Sequence, residues 1–191
     1  MRVRDSGMPQ EQYWASFFNV EQALDTLIPQ QNRHGDWLEI GCGYGTFSLP
    51  VATCLSGRLT SFDIEPDMVE RVNSLTKKQA LTNLSATVRD VIQLGTGQKE
   101  QSHQGVMIYN LLHLENPVAL LKEAHRNLEV GGCLSVIHWR CDIETPRGPS
   151  LDIRPTPEQT IQWMEQAGFQ NIQNVDIEQS CPYHYGLLAW R

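Results

Sequence analysis

A chain of 191 residues is long enough to bury a sizeable core and reads as one domain. Its 15 basic against 22 acidic side chains leave a net charge of −7 with no basic block, a poor match to a nucleic-acid backbone. No apolar run approaches the ~20 residues that span a bilayer, no apolar segment follows the N-terminal charges as in a secretory signal, and five cysteines without C-x-x-C spacing point to free thiols in a reducing cytoplasm rather than to disulfides or a metal site.

Residues 1–9 read as a loose tail. Over residues 10–28, Trp14, Phe17, Val20, Leu24, Leu27 and Ile28 share one helical face, and Pro29 closes the segment. This predicts a single helix that either packs on the core or covers a binding site as a lid. Residues 37–40 read as a buried strand, and Gly41, Gly43 and Gly45 alternate through the turn after it. Phe47, Val51 and Leu55 then recur at helical spacing. Such glycines permit a tight turn and a close ligand approach. A helix start beside them suits an anion.

A second strand at 58–64 carries Asp63 near its end, and Pro66 with Asp67 opens the next helix. The third strand, 84–89, runs into Asp90. Residues 91–104 are polar and predict a loop with at most a short helix. The fourth strand, 105–110, ends at Asn110, followed closely by His113. A helix at 117–130 is expected to stop at Gly131-Gly132. The fifth strand, 133–139, is nearly all apolar and ends in His138 and Trp139. A proline-rich loop, 140–155, holds Arg140, Arg147 and Arg154. The capping box from Thr156 starts a helix that closes at Gly168. Residues 171–178 and 185–190 predict a terminal antiparallel pair.

Strands alternating with helices imply right-handed crossovers and a mostly parallel sheet. The expected fold is a Rossmann-like, doubly wound α/β sheet of seven strands with a C-terminal antiparallel pair. Ligands then bind beyond the C-terminal strand ends. The glycine turn, Asp63, Asp90, residues 110–113 and residues 138–140 all fall at that edge.

The P-loop pattern is absent, since no lysine follows the glycines. A dinucleotide turn wants G-x-G-x-x-G, whereas the glycines here are at 41, 43 and 45. The run Glu39-Ile40-Gly41-Cys42-Gly43-Tyr44-Gly45 resembles the E/D-x-G-x-G-x-G motif of class I S-adenosylmethionine-dependent methyltransferases. The stretches 61–68, 88–91 and 121–135 resemble that family's later segments in order and spacing, the last of them those of its small-molecule, quinone-biosynthesis-like (type 11) branch.

The resemblance implies S-adenosyl-L-methionine as methyl donor and S-adenosyl-L-homocysteine as product. It implies N–H groups around Gly41, Cys42 and Gly43 for the methionine carboxylate, and Glu39 for the ammonium or as a cap on the turn. Asp63 would take the ribose diol. Asp90 would take the adenine amino group or cap a helix, Val91 and Ile64 would hold the ring, and Asn110 would complete the cofactor set. Cys42 also reads as a small buried group under the turn.

For the acceptor, the candidates are Trp14, Phe18, His113 and Arg147, with His113 and His138 as candidate general bases. His125 is expected to face solvent. A small-molecule acceptor is favoured. The Asn-Pro-Pro-aromatic segment of nucleobase amino methylation is missing, and the cysteines are too scattered in sequence for metalloid chemistry. Two other readings stand beside this one: a cofactor-binding sensor or partner subunit without transferase activity, and a short NAD(P)-dependent oxidoreductase. A monomer or homodimer is expected.

Overall fold

The computed structural model describes residues 8–191; Met1 to Gly7 of the expected tail lie outside the described residues. The elements run α1 (Glu11–Ala15), α2 (Val20–Leu27), β1 (Trp37–Ile40), α3 (Ser48–Cys54), β2 (Leu59–Asp63), α4 (Pro66–Lys78), β3 (Leu84–Val88), α5 (Val91–Leu94), β4 (His103–Tyr109), α6 (Pro117–Asn127), β5 (Leu128–Trp139), α7 (Pro157–Ala167), β6 (Gln170–Val175) and β7 (His184–Trp190). The seven strands form one sheet in the order β3-β2-β1-β4-β5-β7-β6. The pairs from β3 to β5 are parallel, and β7 runs antiparallel between β5 and β6. The order reverses between β1 and β4, which is the crevice position for ligands in such sheets.

Both faces of the sheet are covered, which is why its central strands carry apolar residues on both sides. Leu24, Val51 and Val72 of α2, α3 and α4 pack with Trp37, Leu59 and Met107 on one face. Leu120, Leu121 and Met164 of α6 and α7 pack with Leu38, Ile108, Leu134 and Leu187 on the other. Among the described residues no helix is long and apolar enough to cross a membrane.

Three local expectations are corrected. The helix expected over residues 10–28 is broken into α1 and α2. Asn19 caps α2 by accepting from the Gln22 N–H, and its own N–H donates to the Ser180 carbonyl at 2.7 Å. Breaking the helix lets the adjacent Phe17 and Phe18 both face inward, which a continuous helix would set about 100° apart. Next, α6 ends at Asn127, before the two glycines. Its last carbonyls accept from the N–H groups of Gln101 and Ser102, and Gly131 and Gly132 instead exchange backbone hydrogen bonds with Arg191. Consequently β5 begins at Leu128, with an irregularity in its register against β4. Finally, the strand expected over residues 171–178 is Gln170–Val175, and it slips register against β7 between Gln170 and Gln173, where Asn171 has φ +50°.

Candidate cofactor and acceptor site

Gly41, Gly43 and Gly45 have φ of +86°, +49° and +81°, a left-handed path that other residues adopt only under strain. Their N–H groups are occupied within the protein, contrary to the expectation that Gly41 and Gly43 present them to a carboxylate. Gly41 and Cys42 both donate to the Phe62 carbonyl, at 2.7 and 3.1 Å. Gly43 donates to Asp63 Oδ2 at 2.8 Å, and Gly45 donates to the Cys42 carbonyl. The turn is thus strapped to the end of β2.

Asp63 also accepts from the Glu65 N–H through Oδ1, at 3.0 Å. Burial raises its carboxyl above the usual range, against the pull of these backbone donors. Glu39 is 4% exposed. It caps no backbone group of the turn; its Oε2 accepts from the hydroxyls of Ser48 and Ser61, at 2.5 and 2.6 Å. Burial pushes the Glu39 carboxyl up to about 7. Cys42 is buried, and desolvation drives its thiol far above the ordinary value, so it is no nucleophile at neutral pH.

These residues line a cavity of about 450 Å³ at the sheet reversal, within the size range of small-ligand sites. Ile40, Gly41, Cys42 and Gly43 form one wall with Glu39 and Asp63; Asp90, Val91 and Ile92 form another. Asp90 is the N-cap of α5, its Oδ1 accepting from the N–H groups of Ile92 and Gln93 at 3.1 Å. Ile64 and Ile92 are each 39% exposed and turn apolar surface to this space. Ile92 was not among the expected residues; an apolar residue directly after Asp90-Val91 was the available signal. Asn110 has φ +58°, and both polar atoms of its amide are buried without a hydrogen-bond partner among the described residues.

At the other end the cavity is bounded by Trp14, His113, Trp139 and Arg147. Trp14 lies edge-on to Trp139, with ring centroids 6.2 Å apart. Two expected residues stand elsewhere. Phe18 is outside the wall, because it packs against Trp14, Phe47 and His184 beneath it. His138 is 0% exposed and lies behind His113, whose Nδ1 is 3.3 Å from His138 Nε2. Burial lowers both imidazoles, His138 to about 3; the Arg154 charge adds to the lowering at His113. His125 is half-buried, with its ring edge-on to Phe169 rather than fully in solvent.

The loop arginines separate into three roles. Arg140 pairs with Asp142 and Glu178. Arg154 is buried, donating to the carbonyls of Arg140, Arg147 and Pro149 and to Thr145 Oγ1, with its guanidinium 5.7 Å from the Trp139 ring. Only Arg147 of the three lines the cavity, with an exposed side chain.

Residues 38–132 match the family model of a methyltransferase domain, Methyltransf_25. The chain belongs to the class I S-adenosylmethionine-dependent methyltransferases. This methyltransferase superposes on a SAM-dependent methyltransferase from Aquifex aeolicus with a TM-score of 0.77 and 18% identity, covering 91% of this chain and 89% of that one. Geranyl diphosphate methyltransferase in complex with SAM gives 0.71 and 14% identity, over 95% and 85% of the two chains. The [4+2]-cyclase SpnF also gives 0.71 and 14%, over 98% and 85%. At these identities the likeness is one of fold. No curated protein matches the sequence of the methyltransferase significantly.

Proposed function

We propose that this protein holds S-adenosyl-L-methionine beneath the glycine turn and transfers its methyl group in line to a small-molecule acceptor beside Trp14, His113 and Arg147. The observation that carries this reading is convergence. Glu39, Asp63, Asp90, Val91 and Asn110, spread over 72 positions of sequence, share the walls of one cavity.

The residues fit the cofactor. The Asn110 amide has a donor and an acceptor that no described residue meets, inside a wall, which suits a polar ligand group. Asp63 would accept from the ribose hydroxyls. Glu39 would face the ammonium, whose charge would draw the raised carboxyl back to its ionised form. Ile64, Val91 and Ile92 would hold the adenine ring, with Asp90 at its amino edge. The bound sulfonium supplies an activated methyl carbon, so the protein's own task is to align the acceptor and exclude water. Trp14 and Trp139 offer apolar cover for a planar or apolar acceptor. Arg147 favours one that also carries negative charge. We take the chain to act as one domain, as a monomer or homodimer in a reducing compartment, and to lie nearest the small-molecule, type 11 branch.

Isothermal titration with S-adenosylmethionine and S-adenosylhomocysteine tests the cofactor half. Both should bind, and Asp63→Ala should weaken both by more than about tenfold. Binding of neither would end this reading. Mass spectrometry across an acceptor panel with a deuterated methyl donor tests the transfer half. A second reading, cofactor binding without methyl transfer, draws support from the likeness to SpnF, a [4+2]-cyclase. It predicts tight cofactor binding and no labelled product.

A further inference from the structure

We propose that His138 sets the tautomer of His113 so that His113 Nε2 takes a proton from the methyl acceptor, which is therefore a small molecule with an ionisable O–H or N–H. The inference rests on the methyltransferase reading above.

Hydrogen-bond direction fixes the tautomer of both rings. The Trp139 carbonyl can only accept, and His138 Nδ1 lies 3.3 Å from it, so that nitrogen carries the proton. His138 is fully buried, which keeps its imidazole neutral. A neutral imidazole protonated on Nδ1 has only a lone pair on Nε2. His113 Nδ1 lies 3.3 Å from that lone pair and must donate to it. The opposite tautomer of His113 would set two lone pairs face to face and leave both unmet. Neutral His113 therefore carries its own lone pair on Nε2, the ring atom remote from His138, in a residue that lines the cavity.

Other groups around the pair reinforce the neutral state. Arg154, from the loop before α7, acts on both imidazoles as a positive charge. From β7, the Tyr185 ring lies 6.0 Å from His138, and His184 adds a third buried imidazole. His138 touches no wall of the cavity, so it is a positioning residue, while His113 is the catalytic one. In the step itself, the acceptor's oxygen or nitrogen bonds the methyl carbon in place of the sulfur, which keeps the electron pair. The acceptor's proton passes to His113 Nε2, and the resulting imidazolium returns it to solvent as product leaves.

The test is the histidine tautomer, read by long-range proton–nitrogen correlation NMR on the full chain labelled with ¹⁵N-histidine at pH 8. His113 is expected as the Nδ1–H tautomer, with and without S-adenosylhomocysteine. His138→Gln should preserve it, since the amide Oε1 accepts the same bond. His138→Phe should release it and lower kcat by about tenfold or more with acceptor KM unchanged. An Nε2–H tautomer in the wild type overturns the inference, as does an unchanged tautomer in His138→Phe. If that variant fails to fold, the wild-type and His138→Gln spectra decide. Failure of S-adenosylhomocysteine to bind would instead count against the methyltransferase reading, and the tautomer remains separately readable.

Discussion

Gly43 donates its N–H to Asp63 Oδ2 across 2.8 Å, and this bond ties the turn after β1 to the end of β2. The same carboxylate takes the Glu65 N–H, so it organises two backbone segments before any ligand arrives. Asp63→Ala should therefore cost roughly 2 kcal/mol of stability as well as cofactor affinity. Asp63→Asn keeps one acceptor oxygen and should lose about half as much. Urea unfolding without ligand measures the structural part, and titration calorimetry measures the rest. A variant as stable as wild type would show that the bond does not organise the turn.

Glu39 predicts a pH effect of definite sign. Its carboxyl is raised from 4.5 to about 7 by burial, so the folded state binds a proton that the unfolded chain releases. Stability from this group is present below about 4.5 and is lost as pH rises to about 7, a change of ~3 kcal/mol. The buried histidines tilt the curve the other way. The stability difference between wild type and Glu39→Gln removes their contribution, and Glu39→Gln should be the more stable at pH 8. It should also bind S-adenosylmethionine more weakly at that pH.

His184 lies between the rings of Trp139 and Phe18, at 4.2 and 4.8 Å, with both ring nitrogens buried and without a hydrogen-bond partner among the described residues. His184→Phe removes two unmet polar atoms and should stabilise the fold at pH 7 by about 1 kcal/mol, a rise of about 3 °C in Tm. Burial lowers this imidazole to about 3, so the wild type loses stability as pH falls below about 6.5 toward 3. The variant should show a shallower acid limb in thermal melts across that window.

Arg154 should be structural. Its guanidinium satisfies three loop carbonyls and a hydroxyl. Arg154→Ala should cost about 3 kcal/mol and loosen residues 140–155. Arg154→Lys should not restore the loop, because an ammonium cannot span the fork of acceptors. Arg147→Ala, by contrast, should leave Tm unchanged and raise the KM of an anionic acceptor. Melting curves with hydrogen exchange over the loop separate the two.

The contrast between these arginines shows what sequence carries and what it does not. The alternation of strands and helices, the glycine spacing and the acids at strand ends are local signals, and the seven-stranded sheet follows from them. Arg140, Arg147 and Arg154 occupy one proline-rich loop, and although Arg147 was the one expected at the acceptor, nothing along the chain says what the other two bind. Their roles depend on which carbonyls the loop folds over and on carboxylates at distant positions such as Glu178. Phe18 and His138 have residue types suited to a site. The break at Asn19 and the pairing of β5 with β7 turn them into packing and support. The Gly43 N–H was expected to serve a ligand, and the competing acceptor lay twenty residues on, in Asp63.

The irregularity at Asn171 bears on self-association. Among the described residues the sheet ends in β3 and β6, and the outer edge of β6 is a row of backbone groups with no neighbouring strand. The left-handed Asn171 interrupts that row within two residues of its start, so an incoming strand cannot pair along its full length. That interruption falls in a polar segment, Gln170, Asn171, Gln173 and Asn174, whose side chains are of the kind that form ladders between stacked strands, and it works against such pairing.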